Sequence, residues 1–126
     1  MTIHYSIEVR DQYLYLVGEG TEDGLEEDIE IHQMIVNTCK EHNCPHVLID
    51  DRNVIYTAST LSIYMLAKHY DQVDIPRFIQ RAALVANQEY RADNQFFENT
   101  MRNRSINLRV FYDVQEAEKW LTSERS

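Results

Sequence analysis

Apolar and polar residues take turns from the start of the chain. Ile3, Tyr5, Ile7 and Val9 alternate with polar neighbours, and after a break at Asp11-Gln12 the residues Tyr13, Tyr15 and Val17 alternate again. A period of two belongs to a strand with one buried face, so this segment predicts a hairpin of two half-buried strands. The period then changes. Leu25, Ile29, His32, Val36 and Cys39, widened by Ile31, Met34 and Ile35, mark one helical stripe. Asp23 followed by Glu26 predicts a capping box at its start, and the pattern ends near Asn43. After Pro45, the run His46-Val47-Leu48-Ile49 is apolar without alternation, as in a strand covered on both faces. A helix is predicted from Ser59 to Tyr70, Pro76 interrupts, and Ala82-Ala83-Leu84-Val85-Ala86 is a second doubly buried strand. Phe96, Phe97, Thr100 and Met101 return to helical spacing, while Leu108, Val110 and Tyr112 alternate. Asp113 and Glu116 form a capping box before a last helix with Ala117, Trp120 and Leu121 inward. The order ββαβαβαβα predicts an α/β fold: a mixed five-stranded sheet flanked by four helices.

Composition narrows this picture. With 126 residues, 44% of them hydrophobic, the chain suits one domain over residues 1–126. No run approaches the ~18 apolar residues of a membrane span, and the first residues alternate rather than form a signal segment, so a cytoplasmic protein is expected. Two cysteines, Cys39 and Cys44, are expected as free thiols. The formal net charge of -9 is uneven: residues 1–63 hold 12 Asp and Glu against 3 Lys and Arg, and residues 64–126 hold 9 against 9. Such a balance argues against a nucleic acid partner, which needs clustered cations. The acidic run from Glu22 to Glu30 reads as the solvated first turn of a helix, where the helix dipole favours negative charge. Arg77, Arg81, Arg91, Arg102, Arg104 and Arg109 read as scattered surface cations.

Phe96, Phe97, Glu98, Asn103, Arg104, Arg109, Val110, Phe111, Glu116, Ala117, Trp120 and Leu121 together resemble the C-terminal part of the SpoIIAA-like family, a bacterial branch of the STAS-like and CRAL-TRIO-like fold group. The family's usual glycine after Asn-Arg is Ser105 here. The resemblance implies the same ββαβαβαβα architecture and a regulatory or ligand-binding role without catalysis. It also implies a site. In the anti-sigma factor antagonists of this group, a serine in an Asp-Ser-Ser-Gly motif at a helix N-terminus is phosphorylated by a partner kinase. The matching residues are Ala58-Ser59-Thr60-Leu61, so the motif's Asp and Gly are absent. CRAL-TRIO-like relatives bind lipids between sheet and helices, which implies an apolar ligand instead.

In an open α/β sheet ligands gather beyond the carboxyl ends of parallel strands, which directs the search to the loops after Ile49, Ala86 and Tyr112. A hydroxyl at Ser59 caps a helix in either case, and phosphate there would meet the positive end of the helix dipole. The helix beginning at Ser59 is apolar most of the way round, with Leu61, Ile63, Tyr64, Met65, Leu66 and Ala67, and needs cover on more than one side. Cys39, His42, Cys44 and His46 lie close in sequence but lack the two-knuckle spacing of a zinc site, so no metal and no cofactor is expected. Asp50 and Asp51 are adjacent on a strand and point to opposite faces. Ser59 lacks a nucleophile elbow and no Gly-rich phosphate loop occurs; an enzyme would require a polar cluster with strongly displaced acidities. The resulting expectation is a non-enzymatic domain that binds a small apolar ligand or a regulatory protein partner, with a homodimer contact as a further use of the same helix. Its site residues are Tyr56, Ser59, Leu61, Tyr64 and Met65, with Phe96 and Phe97 as the opposing wall. The alternative is a phosphorylation switch at Ser59.

Overall fold

Five strands lie side by side in chain order: β1 (Ile3–Val9), β2 (Leu14–Thr21), β3 (His46–Ile55), β4 (Arg81–Val85) and β5 (Leu108–Phe111). The first pair is antiparallel, from Ile3 opposite Gly20 to Val9 opposite Leu14, and every later pair is parallel. The computed structural model describes residues 2–57, 65, 67, 68, 70 and 74–123. Within them run the helices α1 (Leu25–Glu41), α2 (Ile75–Phe78), α3 (Arg91–Arg102) and α4 (Val114–Thr122). The α/β class, mixed sheet and element order expected from the sequence are all present. Of the helix predicted over residues 59–70, Met65, Ala67, Lys68 and Tyr70 are helical and the remainder lies outside the described residues.

The sheet is covered unequally. On one face Ile31, Ile35 and Cys39 of α1, Ile75 of α2 and Met101 of α3 pack with Leu14, Leu16, Val47, Ile49, Ala82, Leu84 and Leu108. On the other, α4 stands against Tyr13, Leu48, Ala83 and Val85 with Ala117, Trp120 and Leu121. The end of α4 is fixed by buried Arg81, whose guanidinium donates to the carbonyls of Trp120 and Ser123 at 2.7 Å each. A cation there meets the negative end of the helix dipole.

Several local expectations are corrected. The antiparallel pair β1 and β2 forms as expected, but β2 also pairs with β3 and is buried through Leu14 and Leu16 with Tyr13 just before it, so it is an inner strand rather than half-buried. Strand β3 continues to Ile55, six residues past Ile49, because β2 remains beside it as far as Thr21. Asp50 and Asp51 are therefore strand residues. Pro76 does not merely interrupt: it opens the single turn of α2, where its fixed φ and missing N–H are tolerated. At the start of α1 the N-cap is Gly24, and the carboxylate reaching back is Glu27 rather than Glu26, accepting from the Asp23 amide at 2.9 Å and the Thr2 hydroxyl at 2.6 Å. At α4 the N-cap half of the box forms, Asp113 accepting from the amides of Gln115 and Glu116 at 2.7 and 3.3 Å, while the Glu116 carboxylate lies 3.7 Å from Lys119. No helix among the described residues is long and apolar enough to cross a membrane.

Candidate functional site

Between the sheet and the helices α1, α2 and α3 lies a cavity of about 120 Å³. Its floor is the sheet, through Ile49, Ala82, Leu84 and Leu108; its walls include Ile35 and Val36 of α1, Ile75 of α2, and Phe97 and Met101 of α3. The sequence places them there for simple reasons. Residues 82 and 84 share one face of β4 by the period of two, and Asn94, Phe97 and Met101 share one stripe of α3 at helical spacing. Tyr70 closes one side and stacks on His32, with ring centroids 5.4 Å apart and planes 10° apart.

One end of this apolar space is lined by acids. Asp51 is buried and accepts hydrogen bonds from the hydroxyls of Tyr5, at 2.8 Å, and Tyr56. It shares this face of β3 with Ile49 by the period of two, and a β-bulge follows: Val17 pairs with Asp50 but Glu19 pairs with Asn53, so β3 fits an extra residue opposite Gly18. A bulge re-aims side chains, and here Asp51 and Val54 end up on the same face of the sheet. Gly18 is required by the crowding around it. A Cβ there would stand 2.6 Å from Cε1 of Tyr5 and 3.0 Å from Oδ1 of Asp51. Asp28 and Glu22, both buried, complete the group; Asp28 is hydrogen-bonded to Glu22, which also accepts from the Thr57 amide at 3.2 Å.

Burial is the main cause of displaced acidities in this cluster. It pushes Asp51 up to about 6 against the opposing effect of the two tyrosine hydroxyls, with Asp50 and Glu22 adding to the rise. Asp28 is pushed up to about 8, first by burial, then by its bond to Glu22 and the charges of Glu22, Glu27 and Asp51. The Tyr56 hydroxyl is driven well above its ordinary range by burial and by Asp51. Asp50, on the opposite face, is instead gripped by Arg52 through Nε at 2.9 Å and Nη2 at 2.8 Å.

Asn94 of α3 also lines the cavity. It is 7% exposed, and its Nδ2 has no hydrogen-bond partner among the described residues. A buried donor without an acceptor is costly and rare, and this one stands on the cavity wall.

Of the residues singled out from the sequence, Tyr56 and Phe97 line the cavity. Phe96 is 36% exposed, on the outer side of α3, because only one stripe of that helix faces inward. Met65 is 48% exposed. Ser59, Leu61 and Tyr64 lie outside the described residues. The acidic run is only half the solvated turn that was expected: Asp23, Glu26 and Glu30 are exposed, but Glu22, Glu27 and Asp28 are buried. The signal for it was present, since Asp28 shares the inward stripe with Ile31, Ile35 and Cys39. Asn94, three residues before Phe97 on its own stripe, was legible in the same way. Cys39 is buried, its thiol pushed up to about 12 by burial, and no group of three or more His, Cys, Asp and Glu among the described residues is placed to hold a metal ion.

No family model and no curated protein matches the chain. Solved structures do. An anti-sigma factor antagonist from Mycobacterium paratuberculosis superposes with a TM-score of 0.62 at 14% identity, over 96% of this chain and 95% of that one. The fold is SpoIIAA-like. An uncharacterised protein of the DUF3478 family with a SpoIIAA-like fold, from Shewanella loihica PV-4, aligns with a TM-score of 0.49 at 17% identity over 94% of this chain and 93% of that one. Within this SpoIIAA-like frame the cavity occupies the helix-covered face of the sheet.

Proposed function

We propose that this chain is a non-enzymatic binding domain whose ligand is a small, largely apolar molecule held between the sheet and α3. One observation carries the reading: an apolar cavity of about 120 Å³ has on its wall an Asn94 amide that finds no partner among the described residues. Well-packed interiors leave few voids above the size of a water molecule, and an engineered apolar cavity of ~150 Å³ takes up benzene. A body of about one six-membered ring is therefore the right scale. The displaced acids do not compose a catalytic set, because each is engaged by its neighbours: Asp51 by two tyrosines and Asp28 by Glu22. Native mass spectrometry of the full chain purified without detergent tests the reading. A reproducible retained mass, absent from an Ala82→Leu variant that fills the floor, is expected; native protein found only at its own bare mass, or an added mass equally present on the variant, would contradict it.

A second reading is favoured by the exposure of Met65, which leaves an adaptable apolar side chain facing solvent. On it, the segment beginning near Ser59 docks a regulatory protein, as the fold of an anti-sigma factor antagonist would accommodate. Ser59→Asp would then abolish that binding, and unchanged affinity would remove the reading.

A further inference from the structure

The lining of the cavity is one-sided in charge. Glu22, Asp28, Asp51 and Asp93 all contribute to it, and among the described residues that line it there is no Lys or Arg. Anions gathered in a partly desolvated site repel one another unless a proton or a cation is shared among them. Glu22, Asp28 and Asp51 are not arranged to hold a metal ion. Aromatic rings stand beside them: Tyr56 meets Tyr90 edge to face at 5.6 Å, and His32 and Tyr70 form a stacked pair. Acids combined with aromatic faces are the surroundings that favour an organic ammonium, through charge-assisted hydrogen bonds and cation–π attraction. The second, separate observation is Asn94, which is buried, unpartnered among the described residues and set in the same lining.

We infer that the ligand of this cavity is an amphipathic amine, its ammonium lodged among Glu22, Asp28 and Asp51, its apolar body against Leu84 and Phe97, and an oxygen acceptor on it meeting the Asn94 amide. This inference rests on the ligand-binding reading above and specifies its chemistry. In the absence of such a cation, a proton held on Asp28 and directed at Glu22 relieves the same repulsion, which agrees with the upward shift of the Asp28 pKa.

Three probes of one shape test it: benzylamine, benzyl alcohol and benzoate, titrated at neutral pH into the full chain and followed by amide chemical shifts. Benzylammonium should bind saturably, about tenfold more tightly than benzyl alcohol, and benzoate should not bind. Asp28→Asn should erase that preference, bringing benzylammonium down to the affinity of benzyl alcohol in the same variant; Glu22→Gln serves the same purpose if the first variant does not fold. Equal affinity for amine and alcohol, tighter binding of benzoate, or a preference that survives both substitutions would overturn the amine while leaving an apolar site. Failure of all three probes to bind would overturn both.

Discussion

Ser105 lies in the left-handed region at φ 63, where a side chain is strained and glycine is not. This explains why the family pattern that the C-terminal sequence resembles has glycine at that place. Ser105→Gly should stabilise the protein by up to about 1 kcal/mol, the relief of strain exceeding the added entropy of the unfolded chain; chemical denaturation measures it. Asp28 and Asp51 make the opposite kind of compromise. Both keep protons in the folded protein at pH values where the unfolded chain, with an ordinary value of 3.8, has lost them. Their contribution to stability is thus fully present below about pH 4 and is lost as pH rises through about 6 for Asp51 and about 8 for Asp28. Glu27 works the other way. Burial pulls it upward, but hydrogen bonds from the Thr2 hydroxyl and the amides of Thr2, Asp23 and Ile3 outweigh that and hold it below 4.5. Asp28→Asn should raise stability at pH 8 by on the order of 1 kcal/mol, about 4 °C in Tm, and flatten the decline between pH 6 and 8. A steeper decline in the variant would contradict the burial argument. The sequence already held half of this story, because an acid on an apolar helical stripe at residue 28 is out of place; its neighbours Glu22 and Asp51 come from other elements, and no local pattern joins them.

At the scale of elements, β1, β2 and β3 are locked by the bulge at Asp51-Arg52 and by the space above Gly18. Strand alternation foretold that Asp50 and Asp51 face opposite ways, and Arg52 on one side with Tyr5 and Tyr56 on the other bear this out. Where β3 stops was not legible: a run ended by Asp-Asp-Arg-Asn looks like a loop, and only the edge of β2 beside it keeps the strand going. Gly18→Ala should cost about 2–3 kcal/mol by forcing the Tyr5 ring off Asp51. In a Tyr5→Leu background, the same substitution should cost much less, and a double-mutant cycle with no coupling would refute the steric account. Helix α3 shows a related limit of pattern reading. Two adjacent phenylalanines cannot both face inward, and geometry rather than hydrophobicity assigns Phe97 to the cavity and Phe96 to the surface.

Taken whole, the molecule is a sheet with three described helices on one face and one on the other, and the cavity lies under the better covered face. Periodicity and turn chemistry were sufficient for the topology, since each strand and helix has its own local signature. The cavity had none, because a void is what elements from β1 to β5 together leave unfilled. On the reading proposed above, this void accepts a ligand. The most direct measurement follows the side-chain methyl resonances of Ile35, Leu84 and Leu108 during titration with benzyl alcohol, in the native chain and in Ala82→Leu. Saturable shifts at these cavity methyls, lost when Ala82 is enlarged, are the predicted result. Shifts confined to the exposed Ile7 and Val9, or a response that Ala82→Leu leaves intact, would contradict it.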